Sequence, residues 1–333
     1  MKFHSIAIFA SGVSLLVAGV LGAAPLPLDG QFEVNTFTTQ GQYLPKVAYA
    51  GDGSFLVLWQ SERSPTERGR ALRGQWLDPL GERSGDEFAI HRPRPGVPSA
   101  LAEPATLSSG DVVAAWLYRQ RSATGFDSAI EARILSPSGD SSREFEVRST
   151  GPGDARQPKV DAGVDGTFIV TWIEAGVTAQ RFWDDGQPLG LSFELDSAPD
   201  AAPPSHHDVA VLPDGRLAMF WLHPSGGQTH LWARLFTDDG VPLGPFRQLA
   251  VVDSRDPAAL QTVLAGDEIH VTWSTFRLAF GSVVSIFVQS FDAGDLTPLY
   301  PTLAIRNGSL FAGPAALGAG DDGTVVLAWV DDS

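Results

Sequence analysis

The sequence predicts an all-β protein built from six copies of one four-stranded antiparallel unit. Two observations lead to this prediction: six apolar segments ending in tryptophan recur at intervals of 49–57 residues, and a glycine precedes each at a nearly fixed distance. The composition agrees, because 35 Gly and 24 Pro in 333 residues suit many short strands joined by tight turns.

The tryptophan segments are apolar at nearly every position, so both faces of these strands must be covered. A glycine six residues before the tryptophan, or seven in the fifth copy, suits a hairpin turn with positive φ. Sheets covered on both faces and repeated about every 50 residues predict a six-bladed β-propeller rather than an extended β-solenoid. The six segments are Phe55–Trp59, Val112–Trp116, Phe168–Trp172, Leu217–Trp221, Ile269–Trp273 and Val325–Trp329.

A second column of residues recurs in the strand that follows each of the first five tryptophan segments. Because one position carries Gln or Arg in every copy, we expect an architectural role for it. The column is Gln75, Arg133, Gln180, Arg234 and Gln289. The tryptophans are expected to be core for the same reason.

The predicted blades cover 42–93, 98–149, 156–198, 205–252, 258–306, and finally 312–333 plus 27–36. The sixth repeat supplies only two strands before Ser333. The segment Pro27–Val34 reads like the fourth-strand segment Pro188–Leu195, so this N-terminal strand is predicted to close the last blade.

The N-terminus has the pattern of a signal peptide. Lys2 and His4 precede an uncharged apolar run, and small residues follow before Pro25. We expect cleavage near residues 22–24, which gives a 1–24 signal peptide, a single domain over 25–333, and a secreted or periplasmic protein. An uncleaved membrane anchor is the alternative. After cleavage, no membrane association is expected.

The repeats resemble the propeller repeats of about 50 residues found in many secreted bacterial proteins. The matching segments are Pro45–Trp59 and Pro158–Trp172, followed by Val177–Phe182. The resemblance implies the propeller fold and a secreted location but no single activity. A looser similarity links Asp165–Phe168 to the Asp-boxes of sialidase propellers, although the spacing differs.

Composition excludes several function classes. The chain has no cysteine, so disulfides, thiolate metal sites and a cysteine nucleophile are absent. The formal net charge of −16 argues against nucleic acid as a partner. The expected partner is a protein or glycan that binds a monomer at the loop-rich face.

Candidate site residues concentrate in the fourth repeat. His206, His207, Asp208 and His223 carry imidazole and carboxylate groups that suit a divalent metal or a general base. No standard zinc spacing occurs, so no cofactor is predicted, and His206, His207 and His223 are metal candidates only. Surface histidines that end strands are the alternative.

Arginines before the second repeat form a further candidate site. Arg92 and Arg94 could bind carboxylated sugars through bidentate hydrogen bonds, although ordinary loop ion pairs are the alternative. The primary hypothesis is a secreted, non-enzymatic binding or scaffold module of unknown ligand. The alternative is an extracellular hydrolase, either sialidase-like or glycosidase-like or metal-dependent, with its site at the channel mouth.

Overall fold

The structure is a computed structural model in which most of the chain is described. The described residues are 5–10, 33–36, 41–62, 71–91, 97–98, 103–123, 125–139, 144–152, 155–195, 203–252, 256–277, 283–306, 316–319 and 324–329. Within these ranges no helix is long and apolar enough to cross a membrane. All regular elements among the described residues are β-strands, which confirms the predicted all-β class.

Five sheets form propeller blades, each with its strands in chain order. The first blade is β2 (Gln42–Tyr49), β3 (Phe55–Ser61), β4 (Ala71–Leu77) and β5 (Arg83–Ala89). The second is β6 (Val97–Pro98), β7 (Glu103–Thr106), β8 (Val112–Ser122), β9 (Gly125–Leu135) and β10 (Glu144–Pro152). The third is β11 (Arg156–Ala162), β12 (Thr167–Ile173), β13 (Val177–Trp183) and β14 (Pro188–Leu195). The fourth is β15 (His206–Val211), β16 (Leu217–Ser225), β17 (Gln228–Phe236) and β18 (Arg247–Val252), and the fifth is β19 (Asp256–Ala265), β20 (Glu268–Arg277), β21 (Val283–Asp292) and β22 (Leu303–Arg306).

Each blade therefore has an inner strand, a tryptophan strand, a third strand and an outer strand. In the second blade the inner strand is interrupted, since β6 and β7 pair with separate stretches of β8. All pairings within the blades are antiparallel. We call the end of a blade where its inner strand begins and its tryptophan strand finishes the loop end, and the opposite end the turn end.

The prediction of six four-stranded blades is wrong, because the described residues form five blades. The sixth repeat supplies β23 (Ala316–Ala319) and β24 (Thr324–Trp329) to a sheet of only three strands. Its remaining strand is β1 (Ser5–Ala10), which pairs antiparallel with β24 from Ser5 opposite Trp329 to Ala10 opposite Thr324.

The predicted closing strand, 27–36, does not have the role assigned to it. Residues 27–32 lie outside the described residues, and residues 33–36 are not in a strand. Thr36 donates two hydrogen bonds to the Glu87 carboxylate, and the Arg83 guanidinium donates to the Asn35 carbonyl. This segment therefore lies against β5 of the first blade. The strand β1 falls inside the predicted signal peptide, so cleavage near residues 22–24 would remove it.

The chain divides into two compact units. The N-terminal unit is Glu33–Pro203 with Pro213–Gly215, and it holds the first three blades. The C-terminal unit is Met1–Phe32, Pro204–Leu212 and Arg216–Ser333, and it holds the other two blades and the three-stranded sheet.

Apolar side chains fill the space between neighbouring blades inside each unit. In the N-terminal unit, Leu56 and Leu58 of β3 pack with Val112, Ala114 and Trp116 of β8. The same β8 presents its other face to the third blade, which agrees with its uninterrupted apolar sequence. In the C-terminal unit the fourth and fifth blades share one such cluster, which includes Phe220 and Trp273.

The turn glycines have the geometry that the sequence predicts. The five glycines that precede the tryptophan strands all have positive φ, between 61° and 89°, and they are Gly53, Gly110, Gly166, Gly215 and Gly266. At the first two blades the backbones also touch, since the Gly51 N–H donates to the Gly110 carbonyl at 2.9 Å. A Cβ on Gly51 would lie 2.6 Å from the Gly110 Cα, so only glycine fits there.

Candidate functional site

The tryptophan column is core, as predicted. Trp59, Trp116, Trp172, Trp221 and Trp273 are each at most 6% exposed. These rings cannot stack on a ligand from solvent. The column contributes packing, which follows from its position in strands covered on both faces.

The Gln/Arg column is also architectural, which confirms its predicted role. The Gln75 Nε2 donates to the carbonyls of Trp76, Ser84 and Gly85, and Gln180 makes the equivalent contacts with Arg181, Leu189 and Gly190. In both blades the outer strand has a bulge at this point and its glycine has positive φ. The amide therefore satisfies carbonyls that the bulge leaves unpaired.

The arginines of this column reach other carbonyls. Arg133 donates to Ala89 and Ile90 at the end of the first blade, which joins two neighbouring blades. Arg234 donates to the Gly244 carbonyl at 2.6 Å and lies over the Phe246 ring at 4.4 Å. Both guanidinium groups therefore donate to backbone carbonyls, as the glutamines of the column do.

The predicted site residues of the fourth blade fall on two faces of one sheet. His207 lies opposite Trp221 in the register, and His223 lies two residues after Trp221, so these two histidines share a face. His206 lies opposite Leu222 on the other face. The pleat thus separates neighbouring residues that the sequence grouped together.

Burial and pairing assign most of these residues to the interior. His207 is fully buried, His223 is 2% exposed, and Asp208 is 7% exposed. The Asp208 carboxylate accepts the Thr262 N–H of the fifth blade at 2.8 Å. In the same way, the Gln261 Oε1 of the fifth blade accepts the Leu317 N–H of the next inner strand. Asp208 therefore belongs to a contact that is repeated between inner strands.

The geometry does not support metal binding by His206, His207, Asp208 and His223. Among the described ranges there is no group of three or more His, Asp or Glu side chains that could hold a metal ion. His206, His207 and His223 therefore remain metal candidates from sequence only. Arg92 and Arg94 lie outside the described residues.

A different column stands out because its members differ from blade to blade. It is the residue of each inner strand that lies opposite the first residue after the tryptophan, at the loop end. We call it the entry column, and it consists of Tyr43, Arg156, His206 and Ala259. All four side chains are at least partly exposed, in contrast to the tryptophans beside them.

Unusual backbone geometry accompanies the entry column in the N-terminal unit. Leu44 and Gln157, which follow Tyr43 and Arg156, have φ of 57° and 51° although neither is glycine. A proline comes next in both blades, and the inner-strand register shifts at this point. Such bulges re-aim side chains, and strained residues of this kind occur at functional sites.

Acidic side chains lie near the loop end of the same unit. Glu62 directly follows β3 and accepts the Tyr43 phenol O–H at 3.4 Å. Glu174 follows β12, and its Oε1 lies 2.5 Å from the Arg148 guanidinium of the second blade. Sequence reasoning did not select these carboxylates, because their positions depend on register and on contacts between blades.

Two buried polar pairs also depart from the repeat. The Trp116 Nε1 donates to the Glu131 carboxylate at 3.1 Å. Glu131 lies opposite Trp116 in the register, and the residue opposite the tryptophan in the other blades is Arg73, Thr178, Trp232 or Phe287. In the fifth blade, Ser290 Oγ lies 2.8 Å from His270 Nδ1. Burial lowers the pKa of His270, so the neutral ring is favoured. His270 is therefore a hydrogen-bonded core histidine.

No protein-family model matches the sequence, and no curated protein matches it. Solved structures do share the fold. An α-L-arabinanase of Penicillium chrysogenum, solved with arabinobiose, is 14% identical with a TM-score of 0.54 over 87% of this chain and 93% of its own. An α-L-arabinofuranosidase of Fusarium graminearum, solved with an iminosugar inhibitor, is 14% identical with a TM-score of 0.53 over 90% of this chain and 95% of its own. At this identity the likeness shows the propeller fold alone.

Proposed function

We propose that this chain is a secreted glycoside hydrolase that acts on a polysaccharide at the loop end of its blades. The observation that carries the proposal is the likeness over most of the chain to two propellers, one an α-L-arabinanase and the other an α-L-arabinofuranosidase. The entry column supports the location, because ligand specificity usually resides where loops vary on a constant scaffold.

The chemistry calls for two carboxyl groups that flank the scissile bond. Glu62 and Glu174 are our candidates, since both follow tryptophan strands at the loop end of the N-terminal unit. Their neighbours hold each of them by a polar contact, with Tyr43 beside Glu62 and Arg148 beside Glu174. Such support fixes the side-chain position that catalysis needs.

The test is hydrolysis by protein recovered from the medium of an expressing cell. Release of reducing sugar from linear arabinan should occur with the unaltered protein and fall at least about 100-fold in Glu174→Gln. Glu194→Gln, an exposed carboxylate on β14, is the matched control and should leave the rate unchanged. N-terminal sequencing of the same sample tests cleavage near residues 22–24.

Failure to hydrolyse any polysaccharide in a panel of arabinan, xylan, mannan and pectin would refute the proposal. A second candidate function would then take its place, a non-enzymatic binding module. The burial of His207, Asp208 and His223 favours that candidate, because these were the sequence-predicted groups with acid–base or metal chemistry. Binding of a polysaccharide without release of reducing ends would support it.

A further inference from the structure

Tyr43 is an exposed aromatic ring at the start of the first inner strand. It is 46% exposed, whereas the neighbouring Gln60, which lies opposite it in the register, is 4% exposed. Its phenol O–H donates to Glu62 Oε2, and the Glu62 backbone N–H donates to the Gly41 carbonyl at 2.9 Å. The ring and the carboxylate are thus held side by side.

Of the other exposed apolar residues of this strand, Leu44 is adjacent to Tyr43, whereas Val47 and Tyr49 lie apart from it. Val47 and Tyr49 lie opposite Val57 and Phe55, on the other face of the sheet, and the Tyr49 ring packs edge-on against Phe55 at 5.5 Å. Tyr43 lies opposite Gln60, on the face that Gln60 shares with Leu58. The exposed ring therefore has Glu62 as its polar partner and does not share a face with Val47 or Tyr49.

The backbone beside Tyr43 restricts its freedom. Leu44 has a φ of 57°, Pro45 fixes the next φ, and the register shifts between Tyr43 and Lys46. A restricted backbone, together with the hydrogen bond to Glu62, reduces the conformational entropy that is lost when a ligand binds, which favours affinity.

An aromatic face beside a carboxylate matches the surface of a sugar. The C–H face of a pyranose or furanose ring packs against an aromatic ring, and its hydroxyl groups donate to carboxylate oxygens. A uronic acid would bring its own carboxylate against Glu62 and against a chain of net charge −16. We infer that Tyr43 and Glu62 form a stacking subsite for a neutral saccharide, an inference that rests on the proposed function.

Titration calorimetry of the full chain tests this subsite. The probes are linear arabino-oligosaccharides, gluco-oligosaccharides and oligogalacturonate. We expect a neutral oligosaccharide to bind, Tyr43→Ala to weaken its binding about tenfold, and Tyr43→Phe to weaken it by no more than about threefold. Tyr49→Ala is the matched control, since Tyr49 is 49% exposed on the same strand, and it should bind like the unaltered protein.

The outcomes separate this inference from the proposed hydrolase. Unchanged binding or unchanged KM in Tyr43→Ala, or preference for oligogalacturonate, would overturn the subsite even if hydrolysis is observed. Loss of binding in Tyr43→Ala without any hydrolysis by the unaltered protein would support the subsite and refute the hydrolase. Absence of binding to every neutral oligosaccharide would overturn the subsite, whereas the hydrolase is tested by the polysaccharide panel.

Discussion

The tryptophan column and the entry column lie one residue apart in the register, yet they behave differently. Every blade repeats the tryptophan and buries it, whereas the entry column carries Tyr43, Arg156, His206 and Ala259 and is partly exposed. The same residue recurs where every blade must make the same packing contact, as the buried tryptophan does. Repeated positions therefore stabilise the fold, and functional residues should be sought at the positions where the blades differ.

The largest expected effect comes from breaking the repeated column. Trp221→Ala should lower the free energy of unfolding by about 3–5 kcal/mol, because a fully buried indole is removed and a cavity remains. Urea unfolding measures the change. Trp183→Ala removes a tryptophan that is 46% exposed, so it should cost no more than about 0.5 kcal/mol. Equal losses in the two variants would contradict the assignment of the column to the core.

The repeated amide should matter less than the indole. Gln180→Ala leaves the carbonyls of Arg181, Leu189 and Gly190 without their donor and should cost about 1–3 kcal/mol in urea unfolding. Gln187→Ala, in an exposed turn, is the control and should be neutral. A neutral Gln180 variant would mean that water replaces the amide at the bulge.

The bulge itself should depend on glycine. Gly85 has a φ of 71° and open space around it, so Gly85→Ala should cost about 1 kcal/mol through backbone strain alone. Gly244→Ala also enters open space but lacks the positive φ, and it should not destabilise the protein. Thermal unfolding compares the two, and equal melting temperatures would refute backbone strain as the reason for this glycine.

The smallest expected effect is on the pH dependence of stability, and it comes from the pair of His270 and Ser290 in the fifth blade. Burial lowers the pKa of His270 below its usual 6.5, so the unfolded chain binds a proton more readily than the folded one. Stability should therefore be complete above about pH 6.5 and decline as the pH falls from there towards the folded pKa.

The double variant His270→Val, Ser290→Ala removes the polar pair. It places at residue 270 an apolar side chain like those at the equivalent position of other blades, such as Val113 and Ile169. Its melting temperature should fall less than that of the unaltered protein between about pH 7.5 and pH 5.5. Identical pH profiles would show that His270 does not titrate differently in the folded state.

Much of the repeat could be predicted from the sequence because its signals are local. The fixed sequence distance from Gly53 and Gly166 to the following tryptophan predicts hairpin turns at these glycines. The fixed position of Gln75 and Gln180 in the repeat indicates a common role. These features need no knowledge of which strands pair over long distances.

The errors arose where the prediction depended on pairing or on the pleat. The segment around Glu33 resembles an outer strand, but Arg83 and Glu87 of the first blade bind residues that follow it. His206 and His207 are adjacent in sequence and point to opposite faces. Glu131 and Ser290 could not be selected, because their partners lie 15 and 20 residues away and only the register brings them together.

A saccharide should bind at the entry column of the N-terminal unit, at Tyr43 and Arg156, and not at the repeated positions. Amide hydrogen exchange with and without a saturating linear arabino-oligosaccharide tests it most directly. We predict slower exchange at residues 41–44 and 156–157 and no change at the turn-end residues 51–54 and 164–167. Protection confined to the turn end, or no protection anywhere in the chain, would contradict the account.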